Sequence, residues 1–107
     1  LDLVQLAAQQ IIKDFDFFGV EITFSGNSHT AYEELHSQIV PVISKLLSAN
    51  KQKLMTLIYK IDISEMQLNT AREKNNSSSL AEIISELVIK RELQKVVIRE
   101  YYKKAIK

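Results

Sequence analysis

Apolar residues recur at helical spacing in four segments of the chain. The first segment covers residues 3–18 and is followed by Gly19, at a position typical of a left-handed helix cap. The others cover about 31–47, 51–74 and 78–107. Because residues three or four apart lie on one side of a helix, the pattern predicts four amphipathic helices.

A different pattern separates the first two of these helices. Apolar and polar residues alternate through residues 20–24, and a turn signal follows at residues 25–27. Alternation predicts a short extended segment with one buried side. A lone strand leaves its backbone groups unpaired, so it must find a sheet edge, lie as a strap across helices or pair with its copy in a second subunit. The apolar positions are Val20, Ile22 and Phe24.

Local signals mark where two helices begin and where one is disturbed. Thr30 and Glu33 have the spacing of a capping box, and so do Ser79 and Glu82. We therefore expect helices to begin just after Thr30 and Ser79. Pro41 lies inside the second helical pattern, where it predicts a kink or a brief break just before it.

These elements predict an all-α fold. Four helices joined by short connectors pack most simply as a mostly antiparallel four-helix bundle, with residues 1–107 forming a single helical domain. The connector at residues 19–29 is long enough to cross the bundle. The low content of glycine (2) and proline (1) also favours long regular elements over a β-sandwich.

The last predicted helix carries an apolar seam that we expect to be core, and its second half is basic. Residues 90–107 hold seven basic and two acidic residues, whereas residues 1–36 hold six acidic residues and one lysine. The two ends either attract each other or leave a basic surface for another molecule. Four bases step by four residues and are the predicted partner-binding row: Arg91, Lys95, Arg99 and Lys103.

Two sets of residues are candidates for other chemistry. Glu33 and His36 place a carboxylate and an imidazole on one face of a helix, a weak metal-site signal because Glu33 can instead cap its helix. Glu65 falls in line with apolar residues of the third segment. It is either buried and paired with a cation such as Arg91, or lies at the edge of its stripe and reaches water.

Several classes of function are excluded or disfavoured. The only glycines, Gly19 and Gly26, do not form a phosphate-binding or dinucleotide-binding loop, and no nucleophile elbow is present. The chain has no cysteine and no apolar run of the ~20 residues that a membrane helix needs. We predict no cofactor and a cytoplasmic protein. The first residue is Leu1 rather than Met, so the natural N-terminus can lie further upstream.

The sequence therefore predicts a non-enzymatic interaction or structural module that forms a homodimer or binds an unknown protein. The unpaired extended segment and the broad apolar coverage of the last helix support association. The alternative is a nucleic-acid-binding accessory protein, in which the basic helix tracks phosphates and Tyr101 and Tyr102 stack on bases. The third possibility is a metal-dependent enzyme built from bundle carboxylates and histidine.

Overall fold

The computed structural model describes residues 2–105, and within this part of the chain all regular secondary structure is helical, with no strand. An all-α fold is therefore confirmed, but a four-helix bundle is not, because five helices form within the described residues, and a mostly antiparallel arrangement is not shown. The predicted end of the last helix at Lys107 lies outside them. The helices are α1 (Leu3–Phe17), α2 (Ala31–Ala49), α3 (Lys51–Ile61), α4 (Glu65–Lys74) and α5 (Leu80–Ala105).

The third predicted helix, residues 51–74, is in fact two helices. Asp62 adopts a left-handed conformation with φ of 68° and ends α3, a conformation that aspartate tolerates better than most residues. The amides of Asp62 and Ile63 donate to carbonyls of the last turn of α3. A capping box then starts α4, since the Ser64 N–H donates to Gln67 Oε1 (2.8 Å) and the Gln67 N–H donates to Ser64 Oγ (3.1 Å).

One of the two predicted capping boxes forms. The Ser79 N–H donates to Glu82 Oε1 (3.2 Å), and the Glu82 N–H donates to Ser79 Oγ (3.1 Å), so this prediction is confirmed. The prediction of a box at Thr30 and Glu33 is wrong. The Thr30 hydroxyl accepts no hydrogen bond from a backbone amide of the first turn and instead donates to Glu34 Oε2 at 2.5 Å. Glu34, rather than Glu33, therefore contacts Thr30.

Gly19 and Pro41 have different outcomes. Gly19 has φ of 76° and follows the end of α1, as predicted. Pro41 does not break its helix, because α2 is continuous from Ala31 to Ala49.

The segment between α1 and α2 lies as a strap across the helices, one of the three predicted possibilities. Ile22 is only 3% exposed, and its neighbours on either side are exposed. The Thr23 N–H donates to Gln38 Oε1 (2.8 Å), and the Thr23 carbonyl accepts from Gln38 Nε2 (2.8 Å). The Gln38 side-chain amide thus supplies for Thr23 the two backbone hydrogen bonds that a partner strand would otherwise make.

Hydrogen bonds between the end of the strap and the beginning of α1 fix the position in space at which α2 begins. Gln5 Nε2 donates to the Gly26 carbonyl (2.8 Å), and the Ser28 hydroxyl donates to Asp2 Oδ2. The chain therefore returns from the end of α1 to its beginning before α2 starts, and these two helices begin at the same end of the protein.

Helix α5 is the centre of the packing and contacts all four other helices. Its buried residues join those of α1, α2 and α3 in one apolar core, whereas α4 has no fully buried residue. The largest fully buried apolar side chains of this core are Phe15, Ile11, Ile39, Ile43, Leu57, Ile61, Ile84 and Val88.

Candidate functional site

The C-terminal half of α5 has an exposed apolar side, contrary to the prediction that its seam is core. Val96 is fully buried, but Val97 and Ile98 are exposed, and Tyr101 is 67% exposed. Helix geometry explains the split, because successive residues are turned by about 100° around the axis. We call the exposed apolar side the outer face: Val97, Ile98, Tyr101, Tyr102 and Ala105.

The outer face points away from the core. At about 100° per residue, its five members fall within an arc of about 140°, and the buried positions Glu92 and Val96 lie on the opposite side of the helix. Tyr101 and Tyr102 contact each other edge to face, with ring centroids 5.6 Å apart. An isolated exposed leucine needs no explanation, but four large apolar side chains on one strip do.

Helix α4 covers the same side of α5 nearer its beginning. Leu87 and Lys90 line a cleft with Met66 and Ala71 of α4. The cover ends near Gln94, which lies beside the junction between α3 and α4. The outer face is thus the uncovered continuation of a side of α5 on which a helix already packs.

Arg91, the first member of the predicted basic row, forms an ion pair within the protein. Its Nη2 lies 2.7 Å from Asp62 Oδ2, and its Nε donates to the Asp62 carbonyl (2.9 Å). Of the two alternatives for Glu65, the one in which it reaches water is confirmed, and it does not pair with Arg91. Glu65 is exposed in the first turn of α4, where a negative charge favours the helix dipole.

The other three members of the row also contact acidic residues of α5 itself. Lys95 Nζ lies 2.6 Å from Glu92 Oε1, and Lys103 Nζ lies 3.2 Å from Glu100 Oε2. Arg99 Nε is 3.9 Å from the same Glu100 oxygen. Arg99 and Lys103 keep about half or more of their side chains in solvent. Their role in partner binding stays a prediction.

A buried carboxyl pair at this end of α5 was missed by the sequence analysis. Glu92 is 0% exposed, and Asp14 of α1 is 5% exposed and accepts from Gln10 Nε2 at 2.9 Å. A signal was available, because Glu92 stands four residues from Val88 and from Val96, both of which are buried. Periodicity alone therefore placed Glu92 on the core side.

The pKa of Glu92 is raised from 4.5 to about 8. Burial is the largest cause, the Asp14 side chain adds to the rise, and Lys95 opposes it. As a carboxylate, Glu92 accepts no hydrogen bond of regular geometry from residues 2–105. As an acid, Glu92 of α5 can donate a hydrogen bond to the Asp14 side chain of α1.

The weak metal candidates do not gather further ligands. Glu33 is exposed, and His36 stacks on Tyr32 with ring centroids 5.3 Å apart. Across residues 2–105, no three histidine, cysteine, aspartate or glutamate side chains are grouped so that they could hold a metal ion. A metal site at Glu33 and His36 remains a prediction without a third ligand.

Comparison with protein-family models, with curated proteins and with solved structures finds no match for this chain. Among the described residues, no helix has both the length and the apolarity required to cross a membrane.

Proposed function

We propose that the chain is a non-enzymatic helical interaction module that binds its protein partner through the outer face of α5. The observation that carries the proposal is the strip of large apolar side chains exposed opposite the core. Burying one such side chain is worth roughly 1.5–3 kcal/mol. Aromatic residues such as Tyr101 and Tyr102 are also enriched among the residues that dominate binding energy at protein interfaces.

Self-association is one form of this function. Of the two sequence features that supported a homodimer, the extended segment supports it less, because Gln38 of the same chain already pairs with the backbone of Thr23. The outer face still supports association. A second copy of the chain is thus one candidate partner. The proposal also includes a cytoplasmic location.

Nucleic-acid binding is the second candidate. Tyr101 and Tyr102 are exposed beside Arg99 and Lys103, an arrangement in which bases could stack while cations meet phosphates. It ranks second because Arg91 and Lys95 are already engaged with Asp62 and Glu92.

Site-specific photo-cross-linking in cells tests the proposal. A photoreactive phenylalanine analogue replaces Tyr101, and in the control it replaces Tyr59, which is 86% exposed on α3. Both sites are exposed tyrosines, so the two variants differ in location rather than in accessibility. We expect discrete protein adducts from position 101 and none of the same size from position 59.

The size of the adduct identifies the kind of partner. Twice the mass of the chain indicates a second copy, a different mass indicates another protein, and an adduct removed by nuclease indicates nucleic acid. Equal adduct patterns at Tyr101 and Tyr59, or no adduct at Tyr101, would remove the outer face as an interaction surface.

A further inference from the structure

We infer that the partner of the outer face is an amphipathic helix flanked by acidic residues. The inference rests on the proposed function and adds the chemistry of the partner. It is carried by the charges that border the outer face and by the helix that already packs beside it.

Basic side chains border the outer face on both edges. Around the helix axis, Arg99 follows Tyr102 on one edge, and Lys104 lies next to Val97 on the other. Both of these cations are exposed. Lys95 and Lys90 lie on the same two edges nearer the beginning of α5, but Lys90 pairs with Glu86 at 2.8 Å and Lys95 pairs with Glu92 at 2.6 Å. An apolar strip between two cationic edges is complementary to an apolar strip between two anionic edges.

The local charge is strongly positive. Residues 90–105 contain six basic residues, and the acidic residues that pair with them are Asp62, Glu86, Glu92 and Glu100. Glu92 is buried with a raised pKa and contributes little negative charge to the surface at neutral pH. The Glu100 side chain is only 14% exposed, and its carboxylate contacts both Arg99 and Lys103. Within residues 90–105, the cations therefore outnumber their intramolecular acidic partners, and an acidic molecule would complete the pairing.

A second copy of the chain fits these edges poorly. In an antiparallel pair of identical helices, the same edge of each copy meets its equivalent, which would bring the edge that carries Arg99 against the same edge of the second copy. Like charges across an interface weaken binding. A foreign acidic helix avoids this repulsion and gains attraction at both edges.

The shape of the surface indicates a helix as the occupant. The outer face is a straight strip along about two to three turns of α5. It continues the side on which α4, itself a helix of 10 residues, packs against Leu87. An amphipathic helix lying along such a strip uses apolar anchors one turn apart. Phosphate groups would find no partner in Val97 and Ile98, which occupy the centre of the strip beside the tyrosines.

Matched synthetic peptides test the inference. Three fluorescent peptides of about 18 residues, or five turns, share one helical design. The first has leucines on one face and glutamates on both edges, the second has lysines in place of the glutamates, and the third keeps the glutamates but has serines in place of the leucines. We expect the first to bind at least about tenfold more tightly than the other two by anisotropy, and to weaken severalfold as salt increases from about 50 to about 300 mM.

Two variants assign this binding to the outer face. Ile98→Asp removes apolar surface at an exposed position and should abolish binding of the glutamate peptide, with the helical circular dichroism unchanged. Arg99→Glu combined with Lys104→Glu should reverse the preference toward the lysine peptide. The control is Lys45→Glu combined with Lys51→Glu, which changes the net charge equally at exposed sites on α2 and α3 and should leave the preference unchanged.

Several results would overturn the inference. They are equal binding of the glutamate and lysine peptides, tighter binding of phosphatidylglycerol vesicles or of a single-stranded oligonucleotide than of the glutamate peptide, and a dimer that Ile98→Asp dissociates. Cross-links at Tyr101 without peptide binding would reject the acidic helix and keep the interaction function. Absence of cross-links at Tyr101 would reject the interaction function whatever the peptides do.

Discussion

Asp14 of α1 and Glu92 of α5 meet inside the protein, where both side chains are shielded from water. Two buried carboxylates cannot both be charged at low cost, because each charge loses its hydration and repels the other. Lys95 is the cation that contacts Glu92, with its Nζ 2.6 Å from Glu92 Oε1. Glu92, whose pKa is about 8, therefore keeps its proton at neutral pH, and we expect the stability of the fold to depend on that proton.

The first prediction is that the protein loses stability as pH rises above about 5. The pKa of Glu92 is about 8 in the folded protein against 4.5 normally, so between these values the folded state binds a proton that the unfolded chain has lost. Stability from a raised pKa is complete below 4.5 and is lost as pH rises through 8. The groups that face Glu92 are Asp14 and Lys95. Urea unfolding at a series of pH values measures this loss.

The opposite trend should appear in acid. Hydrogen bonds that Ser25 and Thr30 donate to Glu34 lower the pKa of Glu34. Hydrogen bonds that Ser28 and the Gln5 amide donate to Asp2 lower the pKa of Asp2. A lowered folded pKa contributes stability above the unfolded value that is lost as pH falls through the folded value. We therefore expect maximum stability near about pH 5, between the two ranges. Stability that rises steadily from pH 5 to pH 8 would contradict the raised pKa of Glu92.

The second prediction is that Glu92→Gln removes the loss at alkaline pH. A glutamine amide keeps the size of the side chain and can donate to Asp14 without a charge. At pH 8 the variant should be more stable than the wild type by about 1–2 kcal/mol. Glu86→Gln is the matched control, since Glu86 lies on the same helix, is partly exposed and pairs with Lys90 at 2.8 Å. The control should keep the pH dependence of the wild type; equal pH profiles for the two variants would argue against Glu92.

The sequence predicted α5 and the strap well, because local signals determine both. The capping box of Ser79 and Glu82 marks the start of α5. The alternation around Ile22 indicates which side of the strap is buried. The break at Asp62 was missed because apolar residues continue at helical spacing across it. The side chains of Ser64 and Gln67 form the capping box that begins α4, and their spacing in the sequence is that of a capping box.

The candidate site was harder to predict, because it depends on which neighbours cover α5. Periodicity shows that Val96 and Val97 lie on different sides of the helix, but it does not show that α4 ends before it reaches Val97. The charge count treated Glu92 as an ordinary surface acid, although its register placed it with Val88. The sequence thus located the basic helix, and tertiary packing decided which of its residues remain available.

The third prediction concerns Gln38. Gln38→Ala removes both hydrogen bonds to the Thr23 backbone and should reduce the free energy of unfolding by about 1–3 kcal/mol. The Thr23 amide should also exchange its hydrogen faster, which hydrogen exchange followed by nuclear magnetic resonance measures. Gln9→Ala is the control, because Gln9 is an exposed residue of α1. Equal losses in the two variants would show that the strap is held by its apolar side chains alone.

The fourth prediction separates the two sides of the strap. Ile22 is 3% exposed and belongs to the apolar core, so Ile22→Ala should cost about 2–5 kcal/mol, from lost burial and the cavity left behind. Thr23 is exposed and its backbone bonds survive the change, so Thr23→Ala should cost at most about 1 kcal/mol. Urea unfolding of both variants at one pH compares them directly. Similar losses at the two positions would mean that the strap does not bury one side, and that Ile22 does not anchor it to the core.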